Sequence, residues 1–478
     1  MIALEARATD ARETSGSDRI GGFVMLCAAI GALGGLLFGY DTGIISAALL
    51  SITRSYALST GGQELVVAAL NLGAVAGAAL SGPISDRIGR RRTIMIGAVL
   101  FALGAAGSGM TPSLSGLLAA RLLLGVSVGA ATQIIPVYVA ELAPSRHRGV
   151  LVVLFQLAVV GGILLAFLVG YGVSGLHAAW RIMFLIGVIP AVLLGVGMIA
   201  LPESPRWLYL RGRGDEALAA LERVRPDRAS ARHEMARIRA AALQQEGGWS
   251  ELKSPWCRPA LIAGLGIAAL SQLTGPNVVI YYAPIILSQA GLGHGGALLA
   301  TVGVGVASAL GTAAGMAMVD RTGRRRLLLL MLPAAAACLV ASGLCLLGGD
   351  PSGWRLWLML AGLMGYIVFN CGSLSVTVWL IASEVFPMAV RGTGMGLASV
   401  TVWLCDLLVS LTTLHIVEGI GTAGTFCLFG AVNLLAWGFV RRFVPETGNC
   451  SLEEIEQALR NGSFAQGRGM AVAESDAG

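Results

Sequence analysis

Asp86-Arg-Ile-Gly-Arg-Arg-Arg92 returns later in the chain as Asp320-Arg-Thr-Gly-Arg-Arg-Arg326. Two further signatures come back in the same order. Glu141 with Arg148 is echoed by Glu384 with Arg391, and Pro202-Glu-Ser-Pro by Pro445-Glu-Thr-Gly, each pair 243 residues apart. The two Asp-Arg loops are 234 residues apart. A repeat of that length is half of the protein, far longer than the unit of a solenoid, so the chain reads as an internal duplication.

Composition tells what the halves are made of. With 55% hydrophobic and 13% charged residues and a mean hydropathy of +0.76, the chain cannot keep its apolar surface out of water as an ordinary globule. A helix needs about 20 apolar residues to cross a hydrocarbon core. Windows of that kind fall near 23–50, 64–83, 93–111, 114–140, 150–173 and 181–201, and again near 258–289, 298–319, 326–348, 354–383, 393–416 and 420–440. The expected fold is an all-α membrane protein with 12 transmembrane helices in two pseudo-symmetric six-helix halves, because backbone in lipid has to satisfy its own hydrogen bonds.

The arginines set the orientation. Arg87, Arg90 to Arg92, Arg146, Arg148, the segment 203–253, Arg321, Arg324 to Arg326, Arg391, Arg441 and Arg442 all fall on one side, whereas the opposite loops hold only scattered charges such as Arg54, His177 and Asp350. The positive-inside rule then places both termini in the cytoplasm. A net charge of +6 spread over loop ends reads as topology and inner-leaflet contact, which excludes nucleic acid as a partner.

Residues 1–22 are polar, lack the apolar core of a signal peptide, and read as a disordered cytoplasmic tail. Residues 23–201 form the first six-helix half and 258–441 the second. Between them, 202–257 is a cytoplasmic linker whose Asp215-Glu-Ala-Leu-Ala-Ala-Leu-Glu-Arg223 has the pattern of a short amphipathic helix. The tail 442–478 contains one more short helix at Cys450-Ser-Leu-Glu-Glu-Ile-Glu-Gln-Ala-Leu459. Gly31-Ala-Leu-Gly-Gly35 and Gly73-Ala-Val-Ala-Gly77 put small residues four apart, a pattern that lets helices approach closely.

The eight cysteines show no Cys-x-x-Cys and mostly sit inside apolar windows, so no metal and no disulfide framework is expected. Neither a Walker loop nor any other enzyme constellation is visible, and no cofactor is implied. The protein reads as a non-enzyme whose energy comes from a gradient.

Ionisable residues inside the membrane are expensive and mark function. Asp41 lies in the first window, Arg121 in the fourth and Asp406 in the eleventh. A buried carboxylate beside a guanidinium is held between desolvation, which favours the acid, and the cation, which favours the anion. A change in solvent access can therefore load and unload a proton; the alternative is a permanent structural ion pair. Gln156, Gln272 and Asn277 are intramembrane amides able to read vicinal hydroxyls, and Trp379 and Trp403 offer aromatic faces, the two kinds of contact a sugar needs.

Taken together, Gly39-Tyr-Asp-Thr-Gly43, the two Asp-Arg-x-Gly-Arg-Arg loops, Pro202-Glu-Ser-Pro-Arg-Trp207, Gln272-Leu-Thr-Gly-Pro-Asn277, Tyr281-Tyr282 and Pro445-Glu-Thr447 resemble the sugar porter family of the major facilitator superfamily. The resemblance runs from about residue 23 to 456. The chain is similar to bacterial proton symporters for xylose, galactose and glucose, while Trp379-Leu-Ile-Ala-Ser-Glu-Val-Phe-Pro387 and Arg391-Gly-Thr-Gly-Met-Gly396 are also similar to myo-inositol transporters.

The resemblance implies a multi-pass, monomeric protein of the bacterial cytoplasmic membrane that imports a monosaccharide or polyol with a proton by alternating access. Proton-linked relatives carry an acid at the position of Asp41 and an arginine at that of Arg121, so these become the proton acceptor and its modulator. Gln156, Gln272, Asn277, Trp379, Trp403, Phe38 and Tyr281 match sugar contacts. Asp406 stands where relatives have a neutral amide, and it binds a hydroxyl, titrates as a second site, or faces a polar cavity. Ser271, Ser308, Ser375-Val376 and Val402 depart from the family's pattern and leave fewer amides in the pocket.

The charged loops read as a cytoplasmic latch: Asp86, Arg90, Arg91, Glu141, Arg148, Arg206, Asp320, Arg324, Arg325, Glu384, Arg391 and Glu446 would tie the halves together while the cavity faces outward. A facilitative uniporter and a transporter-like sensor are the alternatives. Asp41 argues against the first, and the absence of a long folded extension after the last window argues against the second.

Overall fold

The computed structural model describes residues 22–143, 148–225, 227–243, 249–289, 291–347, 351–448, 450 and 452–464. Nearly all of it is helix. The first repeat holds α1 (Gly22–Tyr56), α2 (Thr60–Ile88), α3 (Arg90–Met110), α4 (Leu114–Leu142), α5 (Arg148–Val173), α6 (Ala179–Ile186) and α7 (Val188–Ala200). The connecting segment folds as α8 (Pro205–Leu210), α9 (Gly214–Val224), α10 (Arg228–Leu243) and α11 (Trp249–Leu252). The second repeat holds α12 (Arg258–Leu273), α13 (Pro276–Gln289), α14 (His294–Thr322), α15 (Arg324–Cys345), α16 (Trp354–Val385) and α17 (Arg391–Phe443), and the chain continues into α18 (Leu452–Arg460).

Among the described residues, eleven helical stretches are long and apolar enough to cross a membrane, counting α6 with α7 and α12 with α13 as one stretch each. The windows near 393–416 and 420–440 are joined with no loop: α17 runs through both, and only Gly421, at φ 71° and ψ 166°, leaves the helical region. Conversely, the window near 258–289 is two helices. Outward-facing side chains of α7, such as Ile189, Val192, Leu193, Val196 and Ile199, are more than half exposed, the pattern of a surface solvated by lipid. The tail 1–22, apart from its last residue, and residues 465–478 lie outside the described residues.

Small residues allow the helices to touch backbone to backbone. A Cβ on Gly39 would stand 1.8 Å from the carbonyl oxygen of Val159, and one on Gly162 2.3 Å from that of Leu36, so α1 and α5 are in direct main-chain contact. Gly73 and Gly125 do the same for α2 and α4, and Gly311 and Gly315 for the matching pair α14 and α16. Between the repeats, α2 packs along α17, α5 along α14 and α1 against α13.

The duplicated loop has a structural reason for its glycine. Gly89 (φ 101°) and Gly323 (φ 85°) turn the chain sharply between two helices, a conformation costly for any residue with a Cβ. The turn aims the first N–H groups of the next helix at a carboxylate. Glu203 Oε1 accepts from Arg90 N at 2.9 Å and Arg91 N at 3.1 Å. Glu446 accepts from Arg324 N at 2.9 Å, Arg325 N at 3.2 Å and Arg326 N at 3.4 Å. Each Pro-Glu signature thus caps the helix that follows an Asp-Arg-x-Gly-Arg-Arg loop, where free N–H groups and the helix dipole both favour an anion.

Candidate functional site

The ion pair anticipated from the sequence is formed. Asp41, near the middle of α1, and Arg121, in the second turn of α4, are 2% and 1% exposed. Arg121 Nη1 donates to Asp41 Oδ1 at 3.2 Å and approaches Oδ2 at 3.5 Å, while its Nε donates to the Val66 carbonyl of α2 at 3.3 Å. The Phe184 ring of α6 covers the guanidinium at 5.6 Å. Tyr40 fixes α1 against α6 by donating to the Met183 carbonyl at 2.7 Å. All of these groups belong to the first repeat.

The second repeat supplies a polar string at a helix break. Thr274 ends α12, Gly275 (φ 92°) makes the turn and Pro276 starts α13, a stop-and-start that suits each residue's backbone. The break leaves the Thr274 carbonyl available, and Tyr366 and Asn433 both donate to it, at 2.8 and 3.1 Å. Asn370 donates to the Thr274 hydroxyl at 3.1 Å. Gln272 and Asn277 are thereby brought face to face across the break, with Asn277 Nδ2 on Gln272 Oε1 at 2.9 Å and Gln272 Nε2 on Ser271 Oγ at 3.2 Å. Farther along α13, Tyr281 donates to Asp406 Oδ2 at 2.8 Å. Asp406 is 1% exposed, and among the described residues its Oδ1 has no partner within hydrogen-bond geometry.

The two sets meet through aromatic rings. Phe38, one turn before Asp41, stands edge-on to Trp403, one turn before Asp406, with centroids 5.5 Å apart. Trp403 Nε1 reaches the Thr132 hydroxyl of α4 at 3.4 Å. Of the remaining expected contacts, Trp379 packs on the second-repeat core that includes Val402. Gln156 is partly exposed on α5, and among the described residues no hydrogen bond joins it to this group.

The charged loop residues cluster within each repeat. Arg90 donates to Asp86 at 2.8 Å and lies 3.3 Å from Glu141. Arg324 lies 3.5 Å from Asp320 and 3.1 Å from Glu384, whose other oxygen accepts from Thr447 at 2.5 Å. Arg91 and Arg325 donate to the ends of α7 and α17, at the carbonyls of Met198, Ile199 and Arg441. Arg206 is exposed, and Arg391 Nε reaches the Phe386 carbonyl at 3.4 Å. The side chain of Arg148 lies outside the described residues. Asp86 and Asp320 have side chains 69% and 81% exposed.

Two features went unseen in the sequence. Glu203 carries the helix cap of the first repeat, and its signal was the Pro-Glu echo itself. Glu64, 1% exposed at the start of α2, binds the backbone of α17 from the far repeat; the signal was an acid at the edge of an apolar window.

A buried acid–arginine pair in one repeat, an amide string at a helix break in the other, and a ring contact between them define a membrane transporter with a site between two repeated helical units. Comparison with known proteins narrows the class. A family profile described as "Sugar (and other) transporter" matches residues 27–459, and the chain belongs to that family, whose members are transporters and not enzymes. It is 41% identical to a D-xylose transporter of Levilactobacillus brevis over 90% of this chain and 94% of that one. It is 37% identical to the arabinose-proton symporter of Escherichia coli over 93% and 94%. Among solved structures, the E. coli xylose transporter XylE in a partially occluded inward-open conformation superposes with a TM-score of 0.79 at 28% identity, covering 90% of this chain and all of that one.

Proposed function

We propose that the protein imports a monosaccharide, a hexose or pentose, or a related polyol, together with a proton, across the bacterial cytoplasmic membrane by alternating access. The observation that carries the reading is the Asp41–Arg121 pair, 3.2 Å apart and shut away from solvent among apolar helices. A carboxylate in that position exchanges a proton only when the helices around it part. The relatives named above include an arabinose-proton symporter, which supports the coupling.

In this reading twelve spans cross the bilayer, α17 supplying two of them on either side of Gly421, and both termini and the Arg-rich loops lie in the cytoplasm. Residues 23–201 and 258–441 are the two moving halves, linked by 202–257, in a monomer embedded in lipid. Gln156, Gln272, Asn277, Trp379, Trp403, Phe38, Tyr281 and Asp406 contact the sugar, and Asp41 with Arg121 carries the proton. The Asp86, Arg90, Glu141 cluster and its counterpart Asp320, Arg324, Glu384 tie the halves together on the cytoplasmic side when the cavity opens outward, and close within each half when it opens inward. The inward-open likeness and the exposed Asp86 and Asp320 support this second arrangement.

The test is sugar-dependent proton movement in proteoliposomes, with xylose, glucose, galactose, arabinose and myo-inositol offered in turn. Alkalinisation outside with one of them is expected. Tracer entry without proton movement would make the protein a uniporter and reduce Asp41 to a structural partner of Arg121.

A further inference from the structure

At the end of the molecule opposite the Arg-rich loops, the first turns of α2 lie against the stretch of α17 that leads to Gly421. Glu64 there accepts the backbone N–H of Leu414 at 2.7 Å and of His415 at 3.1 Å through Oε1, and its Oε2 meets His415 Nδ1. One turn earlier Thr60 pairs with Glu418, and two turns later Asn71 Nδ2 donates to Ser410 Oγ at 3.1 Å. In a regular α-helix the N–H of Leu414 pairs with the carbonyl of Ser410. Here that carbonyl also takes the Tyr282 hydroxyl at 2.8 Å. Both groups of one helical rung are thus met from outside, one by α2 and one by α13.

We propose that Glu64 is the latch of the outer gate, a positioning residue that holds α17 against α2 while the site is closed to the outside and must release it before sugar enters. The proposal rests on the transport reading above. A carboxylate at 1% exposure is tolerable only with strong donors. Parting α2 from α17 removes the two main-chain donors and the His415 ring contact together and forces the carboxylate to rehydrate, so the contact is either made or broken. Because two donors are main-chain N–H groups, a slide of α17 by one residue already breaks the set. The latch is also joined to the site: Tyr282, on the Ser410 carbonyl, follows Tyr281, on Asp406. A shift of α13 as sugar binds between Asn277 and Asp406 therefore pulls on the same rung that Glu64 holds.

The experiment uses the full chain in proteoliposomes, with native cysteines replaced and spin labels at Ser59→Cys and Gly419→Cys, both exposed at this end. Glu64→Ala is expected to lower the ratio of short to long label distances about tenfold, the effect of losing charge-assisted hydrogen bonds, and to lower KM for sugar supplied from outside. Glu64→Gln, whose amide oxygen still accepts an N–H, should fall between. Unchanged distances and unchanged outside KM in both variants would overturn the proposal. Should Glu64→Ala not fold, Thr60→Cys with Glu418→Cys gives an independent reading: oxidation should abolish uptake and reduction restore it, and uptake that survives the cross-link overturns the latch. A parent protein that moves neither sugar nor proton would instead sink the transport reading, while the label distances would still report on Glu64.

Discussion

Asp41→Asn tests the centre of the proposed mechanism. The substitution keeps size and one carbonyl oxygen for Arg121 Nη1, now 3.2 Å from Asp41 Oδ1, but removes the charge that compensates a guanidinium only 1% exposed. Breaking a buried ion pair costs about 3–5 kcal/mol; with Val66 and the Phe184 ring still in place and an amide acceptor supplied, the loss should sit near the lower end, about 3 kcal/mol. The functional effect is larger in kind. One proton moving down a potential of 100 mV provides about 2.3 kcal/mol, which supports roughly 50-fold accumulation of sugar at about 1.4 kcal/mol per tenfold. An asparagine imitates the protonated acid permanently, so the variant should bind sugar and exchange it across the membrane while its accumulation ratio falls to about one. The assay is labelled-sugar accumulation under an imposed potential, beside counterflow exchange. Accumulation by Asp41→Asn clearly above the external concentration would refute the assignment. The double variant Asp41→Leu with Arg121→Leu separates folding from coupling, since replacing both members of a buried pair is close to neutral for stability. It should unfold at a temperature near that of the parent and still fail to accumulate.

Asp406→Asn should keep the Tyr281 hydrogen bond and parental thermal stability while raising KM for the transported sugar about tenfold, as a charge-assisted contact becomes a neutral one; an unchanged KM and sugar ranking would remove Asp406 from the site. Gly39→Ala would drive a Cβ to 1.8 Å from the Val159 carbonyl oxygen, and overpacking of this kind costs about 1–3 kcal/mol, so thermal unfolding should drop. Gly172→Ala, with nothing among the described residues within 4 Å of its Cβ, should leave unfolding unchanged or raise it slightly. Glu203→Ala and Glu446→Ala each remove a cap and should cost similar amounts, about 0.5–2 kcal/mol; a loss in only one of them would mean that the two loops do not share a structural role.

Hydropathy and a duplicated loop were enough to read a helical membrane protein built from two repeats, because lipid leaves the backbone little choice. They could not place helix ends that depend on single residues. Two windows near 393–416 and 420–440 look separable in composition, yet they are joined through one glycine; the window near 258–289 looks continuous, yet Thr274 and Gly275 divide it with the help of Tyr366, Asn370 and Asn433 from other helices. The candidate site was legible where side chains carry charge or amides at unusual depth, as for the contacts of Asp41 with Arg121 and of Gln272 with Asn277. It was not legible where the partner is main chain. Glu64 binds the N–H groups of Leu414 and His415, and no residue type at those positions announces an acceptor 350 residues away. Glu446 was read as a tie between halves because spacing shows charge but not the positive φ of Gly323, which turns the following N–H groups toward it.

The arrangement also limits how proton and sugar can influence one another. Asp41 is bound to Arg121 inside the first repeat and Asp406 to Tyr281 inside the second, and among the described residues no hydrogen-bonded path joins the two acids. Each acid, however, lies three residues after an aromatic ring on the same helix, hence on the same face, and those rings, Phe38 and Trp403, are in contact at 5.5 Å. In the proposed reading, a proton on Asp41 would loosen the hold of α4 on α1, and the segment of α1 that carries Asp41 would carry Phe38 with it. A sugar held between Asn277 and Asp406, as proposed, would load the segment of α17 that carries Trp403. On that reading each ligand would act on one side of this ring-to-ring contact between the repeats, so that the coupling would run through packing, whose two arrangements are discrete, and would require no transfer of the proton between the two carboxylates.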